Sequence, residues 1–431
     1  MVMNWMKSLF SVKRAGHPTP IAPGLYHAQQ AADGMYTRFH LRVELDGTGM
    51  LIANAAAAAR LTPSGVVIAQ GLLAGTAQAE ILATLKRSFH GATDAVMQQD
   101  IAKVQALIAQ IVAPGDMYPV FNLEDASVSP YAAQLIAPLQ ASVPLANPML
   151  LVPLIDRLWD VGIPHITLLA PPQPEAAYLI RAVERAEDLG MIAGVRGRAV
   201  DLYTGTLLSD LAQAGVDYIT YIYASNDAAL HDALCGETPS DHAAAVELLR
   251  WLEENEVCAV AEIPLLKSTL DDLDETVATL MAQGVDNLSL VAYASTDAAI
   301  AEQGDIFLAE AMPQVATIVE EVTEEANARF IWNPPVQREP TQSLTAQVQA
   351  GPRCSGDVAV RVEPDGRVIP ARGPRQSAGN LLTQPWDAIW EHDVFRIYRE
   401  RVEAPTRCDI CPGLTICAAD CPKEPKGWSQ G

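Results

Sequence analysis

The chain has 431 residues, 49% hydrophobic and 19% charged, which is ordinary usage for a globular protein and enough length for two or three domains. Its net charge of −23, from 29 basic and 52 acidic residues, works against nucleic acid or an anionic membrane as partner, because both need a basic face that displaces counterions. Five of the seven cysteines stand at Cys354 or beyond, which suits metal ligation in a reducing compartment better than a disulfide framework and leads us to expect a cytoplasmic protein.

Residues 1–35 read as a flexible N-terminal segment, Pro- and Gly-punctuated to residue 24, without the sustained apolar stretch of a secretory peptide. No run of about 18 apolar residues follows anywhere. Phe39–Leu45 alternates apolar and polar, Asp46-Gly47 supplies a turn, and Gly49–Ala53 returns, so a hairpin is expected. Three helices follow. Leu61-Thr62-Pro63-Ser64 caps the first, and Ala77–Phe89 and Thr93–Ile111 carry the apolar 3.6-residue period of the others. Together they make a small domain over residues 36–115.

Over residues 116–335 short apolar runs alternate with amphipathic helices, the pattern of parallel β/α units. Strands are expected at Val120–Leu123, His165–Leu169, Met191–Val195, Tyr218–Tyr223, Val257–Ile263, Asn287–Ala292 and Phe330–Trp332. Helices are expected at Pro174–Leu189, Asp241–Asn255 and Leu270–Ala282. Such a sheet closes as a barrel or stays open and doubly wound, and the pattern fits both.

Residues 336–431 form an appendix. Asp357–Val362 and Arg367–Ile369 flank the turn Pro364-Asp365-Gly366, and a helix over Pro385–Arg401 leads into Cys408-x2-Cys411-x5-Cys417-x3-Cys421. Four cysteines so spaced are expected to ligate a metal. A single segment with unequal spacing favours a loop wrapped around an iron–sulfur core, whereas zinc sites usually come as two short pairs; zinc and free thiols remain alternatives. Cys235 and Cys258 read as buried small hydrophobes.

Other residues carry weaker signals. None of the eight histidines stands in an H-x3-H or H-E-x2-H pattern. Glu124 and Asp125 end the first expected β/α strand, where ligands gather, or are simply solvated. Arg196 and Arg198 could hold a carboxylate or phosphate, or form ion pairs. His231-Asp232 reads as a cap or bridge at a helix start. No Gly-rich phosphate loop, Ser-His-Asp order or G-x-S-x-G is present.

Gly379-Asn-Leu-Leu, Trp386-Asp-Ala-Ile-Trp390, Val394-Phe-Arg396 and the cysteine quartet followed by Pro422 resemble the SPASM domain, the auxiliary iron–sulfur appendix of radical S-adenosylmethionine (radical SAM) enzymes that modify peptides. The segments beginning at Ile155, Leu208, His231 and Pro264 are similar to successive units of those enzymes' partial (β/α)6 barrel. The front domain resembles the winged-helix-like α+β peptide chaperone called a RiPP recognition element, RiPPs being ribosomally made, modified peptides. The resemblance covers about residues 36–423 and implies an α/β fold of the radical SAM type with these two smaller domains.

The chain departs from that family where the chemistry lies. The family holds its catalytic 4Fe-4S cluster with C-x3-C-x2-C after the first barrel strand; the corresponding loop here, Asp125–Ile136, has no cysteine, and residues 1–234 contain none. Serine and alanine cannot replace soft sulfur donors to iron. The family's Gly-Gly-Glu-Pro, which receives the cofactor's amino group, corresponds to Ala170-Pro171-Pro172-Gln173-Pro174. The appendix is reduced as well. Cys354 is kept, but Ala371 stands where another cysteine is expected and none follows Cys421. Five thiolates suffice for one cluster, expected on Cys408, Cys411 and Cys417 with Cys421 or Cys354 as the fourth ligand.

The expectation is therefore a pseudoenzyme with no catalytic residue and no S-adenosylmethionine site, one auxiliary cluster, and a role in peptide recognition or scaffolding. Its partner would be a precursor or leader peptide or an intact radical SAM homologue. Two alternatives remain: an active maturase or electron-transfer protein that works through the tail cluster, and a binding protein with structural zinc.

Overall fold

The computed structural model describes residues 20–32, 35–53, 57–112, 136–235, 240–285, 287–326, 329–333, 335–353, 359–370, 375–396 and 429–430. They fall into two compact units, the first containing the described residues up to 112 together with Ile136, the second those from Ala137 onward.

The first unit is a four-stranded antiparallel sheet with three helices. Strands β1 (Gly24–Ala32), β2 (Met35–Val43), β3 (Gly49–Ala53) and β4 (Ala57–Leu61) pair in sequence order. The β2–β3 turn has Gly47 at φ 83°, a conformation that favours glycine, and Asp46 accepts from the Thr48 amide at 2.9 Å. Helix α1 (Pro63–Leu73) starts where Thr62 accepts from the Gly65 amide at 3.2 Å and Pro63 needs no partner for a missing N–H. Helices α2 (Gln78–Ser88) and α3 (Asp94–Val112) follow. Phe39, Leu41 and Val43, on one face of β2, pack with Val66, Ile68, Ile81, Leu85 and Ile101 from the helices.

The hairpin and the three helices coincide with the sequence reading. The flanking strands do not. Strand β1 lies within the stretch expected to be flexible, and β4, Ala-Ala-Ala-Arg-Leu, has little intrinsic strand preference and is extended because β3 offers a ladder.

The second unit begins with β5 (Gln140–Pro144), α4 (Pro148–Asp160), β6 (His165–Leu169), α5 (Ala176–Asp188), β7 (Ile192–Gly197), α6 (Ala199–Leu202) and α7 (Leu207–Ala214). It continues with β8 (Tyr218–Ile222), α8 (Ala228–Cys235), α9 (Asp241–Glu254), β9 (Cys258–Leu265), α10 (Lys267–Leu270), α11 (Leu273–Ala282) and β10 (Asn287–Ser295). Then come α12 (Ala298–Gln303), β11 (Phe307–Leu308), α13 (Met312–Ala326), β12 (Arg329–Trp332), β13 (Val336–Gln337) and α14 (Leu344–Ala350). The last elements are β14 (Ala359–Val362), β15 (Arg367–Pro370), β16 (Gly379–Asn380), α15 (Trp386–Trp390) and β17 (Ser429–Gln430).

Strands β5 to β10 form a parallel sheet in sequence order, each joined to the next through helix, which is the α/β architecture expected. Strands β14, β15 and β16 extend it beyond β5, with β14 parallel to β5, β15 antiparallel to β14 and β16 antiparallel to β15. The strand expected at Val120–Leu123 lies outside the described residues, as does the loop segment 125–135. The neighbour of β6 is instead β5, whose polar Gln140 and Ser142 hid it from an apolar-run search.

The register divides this sheet into two unlike faces. One carries Ala141, Val143, Ile166, Leu168, Ala193, Val195, Ile219, Ala261, Ile263, Leu288 and Leu290, all buried. Helices turn matching apolar rows inward, such as Leu179, Ala182, Val183 and Ala186 of α5 and Ala245, Leu248, Leu249 and Leu252 of α9. The other face carries Gln140, Ser142, His165, Thr167, Arg196, Tyr218, Thr220, Glu262, Ser289 and Tyr293. A polar face in a buried sheet must be satisfied by protein or ligand. Among the described residues no helix is long and apolar enough to cross a membrane.

Candidate functional site

The polar face is where a ligand would sit, and its centre is an ion pair. Arg196 of β7 donates from Nε to Glu262 Oε2 at 2.9 Å and from Nη2 to Oε1 at 2.6 Å. The side chains are 5% and 4% exposed. Burial alone would weaken the guanidinium's charge, but the facing Glu262 more than restores it and holds Arg196 above its ordinary range. The remaining N–H groups turn to main chain: Nη1 donates to the Gln349 carbonyl at 2.7 Å and Nη2 to that of Val348 at 3.1 Å. Tyr293 donates to the Gln347 carbonyl at 3.4 Å, and Ser142 to that of Arg353.

Residues 347–353 thus run across the polar face from β10 past β7 to β5. Gly351 makes the crossing possible. Its φ is 65°, and a Cβ there would lie 2.3 Å from Arg196 Cζ. Ile222, Val291 and Tyr293 meet Leu234 and Cys235 of α8 and Val348 of α14 in one apolar cluster.

Arg198 is also engaged within the chain. It donates to Asp201 at 2.5 and 3.0 Å, and Asp201 accepts from the Gln173 amide at 3.0 Å. Gln173, at φ 51°, belongs to the loop expected to correspond to the family's Gly-Gly-Glu-Pro, whose Pro171 and Pro172 are exposed. Both arginines therefore form ion pairs, the plainer of the two readings; the sequence signal for the partner of Arg196 is Glu262, a carboxylate inside an otherwise apolar strand.

A second polar cluster lies toward the N-terminal ends of the same strands. Tyr218 Oη stands 2.6 Å from both His165 Nε2 and Thr167 Oγ1, and Gln140 Nε2 donates to Thr167 at 2.9 Å. Burial pushes His165 down to about 3, so its imidazole is neutral at ordinary pH. Tyr218 needs Gly194 beside it, since a Cβ there would stand 1.9 Å from the ring.

Only one group of possible metal ligands is gathered among the described residues: His231, Cys235 and Asp241, all buried, with ligand atoms within 4.8 Å of one another. The hydrogen bonding argues against a metal. The Ala224 amide donates to His231 Nδ1 at 3.2 Å, so the neutral ring carries its proton on Nε2 and gives it to Asp241 Oδ2 at 3.0 Å. No lone pair faces the cluster from His231. Burial, and next the adjacent Asp241, push the Cys235 thiol up, so it is protonated too. Asp241 also accepts from the Val200 amide at 3.0 Å. The trio is a satisfied hydrogen-bond knot that joins α8, α9, α6 and the segment after β8. Asp232 accepts from the Ser240 and His242 amides at 3.1 and 2.8 Å and caps α9, as a bridging role for His231-Asp232 implies.

The cysteines on which metal binding is expected, Cys354, Cys408, Cys411, Cys417 and Cys421, lie outside the described residues, as do Glu124 and Asp125. Cys235 is fully buried and Cys258 half-buried.

No protein-family model matches the chain. Among solved structures it is similar to Streptococcus suis SuiB bound to S-adenosylmethionine, with a TM-score of 0.52 and 13% identity over 91% of this chain and 98% of that one. It is similar as well to SuiB bound to precursor peptide SuiA, with a TM-score of 0.50 and 14% identity over 91% of this chain and 97% of that one. At such identities the likeness is one of fold.

Proposed function

We propose that this chain is a degenerate relative of the radical SAM peptide-modifying enzymes, acting as a peptide-recognition or scaffold component without a radical-generating cluster of its own. One observation carries the reading. A site-differentiated 4Fe-4S cluster needs three converging thiolates, yet the only cysteines before Cys354 are Cys235, at the end of α8, and Cys258, at the start of β9. The loop that follows β5, Leu145-Ala-Asn147, offers none either.

The polar face supports the same conclusion, since the acceptors that Arg196, Tyr293 and Ser142 use are the chain's own carbonyls. For the peptide, the support is the precursor peptide bound in the SuiB structure and the sheet of the first unit, which ends in strands β1 and β4. An extended peptide can add to such an edge through main-chain hydrogen bonds. The partner is then a precursor or leader peptide or an intact radical SAM homologue, and the setting cytoplasmic.

In the tail, Cys408, Cys411 and Cys417, with Cys421 or Cys354, would hold one metal centre; an all-thiolate donor set fits an iron–sulfur cluster, and also zinc. When bound, a cluster would supply electron relay and cross-link the segment. The test is anaerobic purification followed by titration with S-adenosylmethionine and analysis for 5′-deoxyadenosine with a strong reductant. No binding heat and no 5′-deoxyadenosine are expected, with iron and acid-labile sulfide lost in Cys411→Ala. Tight, iron-dependent cofactor binding would overturn the pseudoenzyme reading, and stoichiometric zinc without sulfide would replace the cluster.

A further inference from the structure

The carbonyls of residues 347–349 belong to the last turn of α14 and its exit, where the Gly351 amide donates to those of Gln347 and Val348 at 3.1 Å and leaves each a second lone pair. Here they are met by a guanidinium and a phenol, and a cation is favourable at that end of a helix. Glu262 already balances the charge of Arg196, so the outward N–H groups suit neutral carbonyls. An anion placed there would gain little from Arg196 and would face Glu262.

The apolar side chains that hold the same residues are few, Val348 and the buried Pro352. Val348 is the one residue of 347–353 in the buried apolar cluster, and Leu344 packs against it. Polar tethers supply the rest. Gln349 Nε2 donates to the Cys235 carbonyl at 2.8 Å and Thr345 to that of Ala233 at 3.2 Å. In the middle of α14, the Gln347 side chain is fixed to the Gln337 carbonyl at 3.2 Å and to Arg338 at 2.7 Å.

We propose that residues 347–353 form a strap that closes the polar face of the sheet and seals Cys235, and that the strap lifts as a unit while the sheet stays folded. A segment with few buried apolar side chains, held mainly by hydrogen bonds, opens at a lower free energy than the sheet beneath it. Its hinge is the Gln347 anchorage, and its latch is the Arg196 contact with residues 348, 349 and Gly351. The inference rests on contacts inside the second unit and does not depend on peptide binding by the first.

The two cysteines provide the readout. Cys235 lies under the strap, whereas Cys258 begins β9, four residues or about 13 Å of strand from Glu262. The full chain, handled anaerobically, is labelled with N-ethylmaleimide and each thiol followed by peptide mapping. In the unaltered protein Cys235 is expected to react about tenfold or more slowly than Cys258. Gly351→Val inserts a side chain into Arg196 and is expected to speed Cys235 about tenfold while Cys258 stays within about twofold. Gln349→Ala, which removes only a tether on the strap, should speed Cys235 in the same direction and decides the matter if Gly351→Val does not fold. Unchanged Cys235 labelling, or Cys258 accelerating in step with it, would overturn the strap.

Discussion

Glu262→Ala tests the centre of the second unit. The substitution removes both carboxylate oxygens from a guanidinium that keeps only two main-chain carbonyls, at 2.7 and 3.1 Å. With the two side chains 5% and 4% exposed, water cannot replace the lost partner. Removing one member of a buried pair costs about 3–5 kcal/mol, chiefly because the other charge is left uncompensated. Unfolding entropy of about 2.1 cal/mol/K per residue over roughly 300 residues gives about 0.6 kcal/mol/K, so a loss of about 4 kcal/mol lowers the midpoint by about 6 °C. Glu262→Gln keeps one acceptor but no charge, so it should lose nearly as much as Glu262→Ala. Arg196→Met combined with Glu262→Leu leaves no orphan charge and should lose less than Glu262→Ala alone. Thermal and urea unfolding of the four proteins measure these differences, and the differences should hardly respond to salt because the pair is shielded from mobile ions. A Glu262→Ala protein within about 1 kcal/mol of the parent would refute the reasoning.

Three further outcomes follow from the same sheet. His165 titrates near 3 when folded and near about 6.5 when unfolded, so between those values the unfolded chain binds the extra proton. Stability should then fall as pH is lowered from about 6.5, by at most about 1.4 kcal/mol per unit from this group. Urea midpoints at pH 7 and pH 5 should therefore differ less in His165→Gln, and equal differences would dismiss the buried neutral imidazole. The Tyr221 hydroxyl is buried on the helix-covered face without a hydrogen-bond partner among the described residues. Tyr221→Phe should accordingly raise stability by up to about 1 kcal/mol, and a loss would mean that the hydroxyl is satisfied. Gly194→Ala forces a methyl against the Tyr218 ring and should cost at least about 2 kcal/mol. The Gly194→Ala, Tyr218→Ala double variant should be less destabilised than the sum of the single ones, which denaturation of all three checks.

What the amino-acid sequence reveals here depends on which atoms do the work. Strands such as Ile192–Gly197 and Asn287–Ser295 are legible because burial on both faces selects continuous runs of apolar and small residues. Strand β5 shares their surroundings but puts Gln140 and Ser142 on the polar face, so no apolar run marks it. Arg196 was legible as a group that holds a carboxylate. The carboxylate proved to be Glu262, 66 residues along the same chain.

The crossing of residues 347–353 could not have been read in the same way. Its anchors on Arg196, Tyr293 and Ser142 are carbonyl oxygens, which every residue possesses and no side-chain pattern records. Only Gly351 leaves a trace, and a lone glycine before Pro352 signals a turn rather than close passage over a guanidinium. A cysteine, present or absent, is visible in the sequence at once, because its side chain is the ligand. A face covered by main chain is visible only when the chain is folded, because any sequence that bends there supplies the same acceptors.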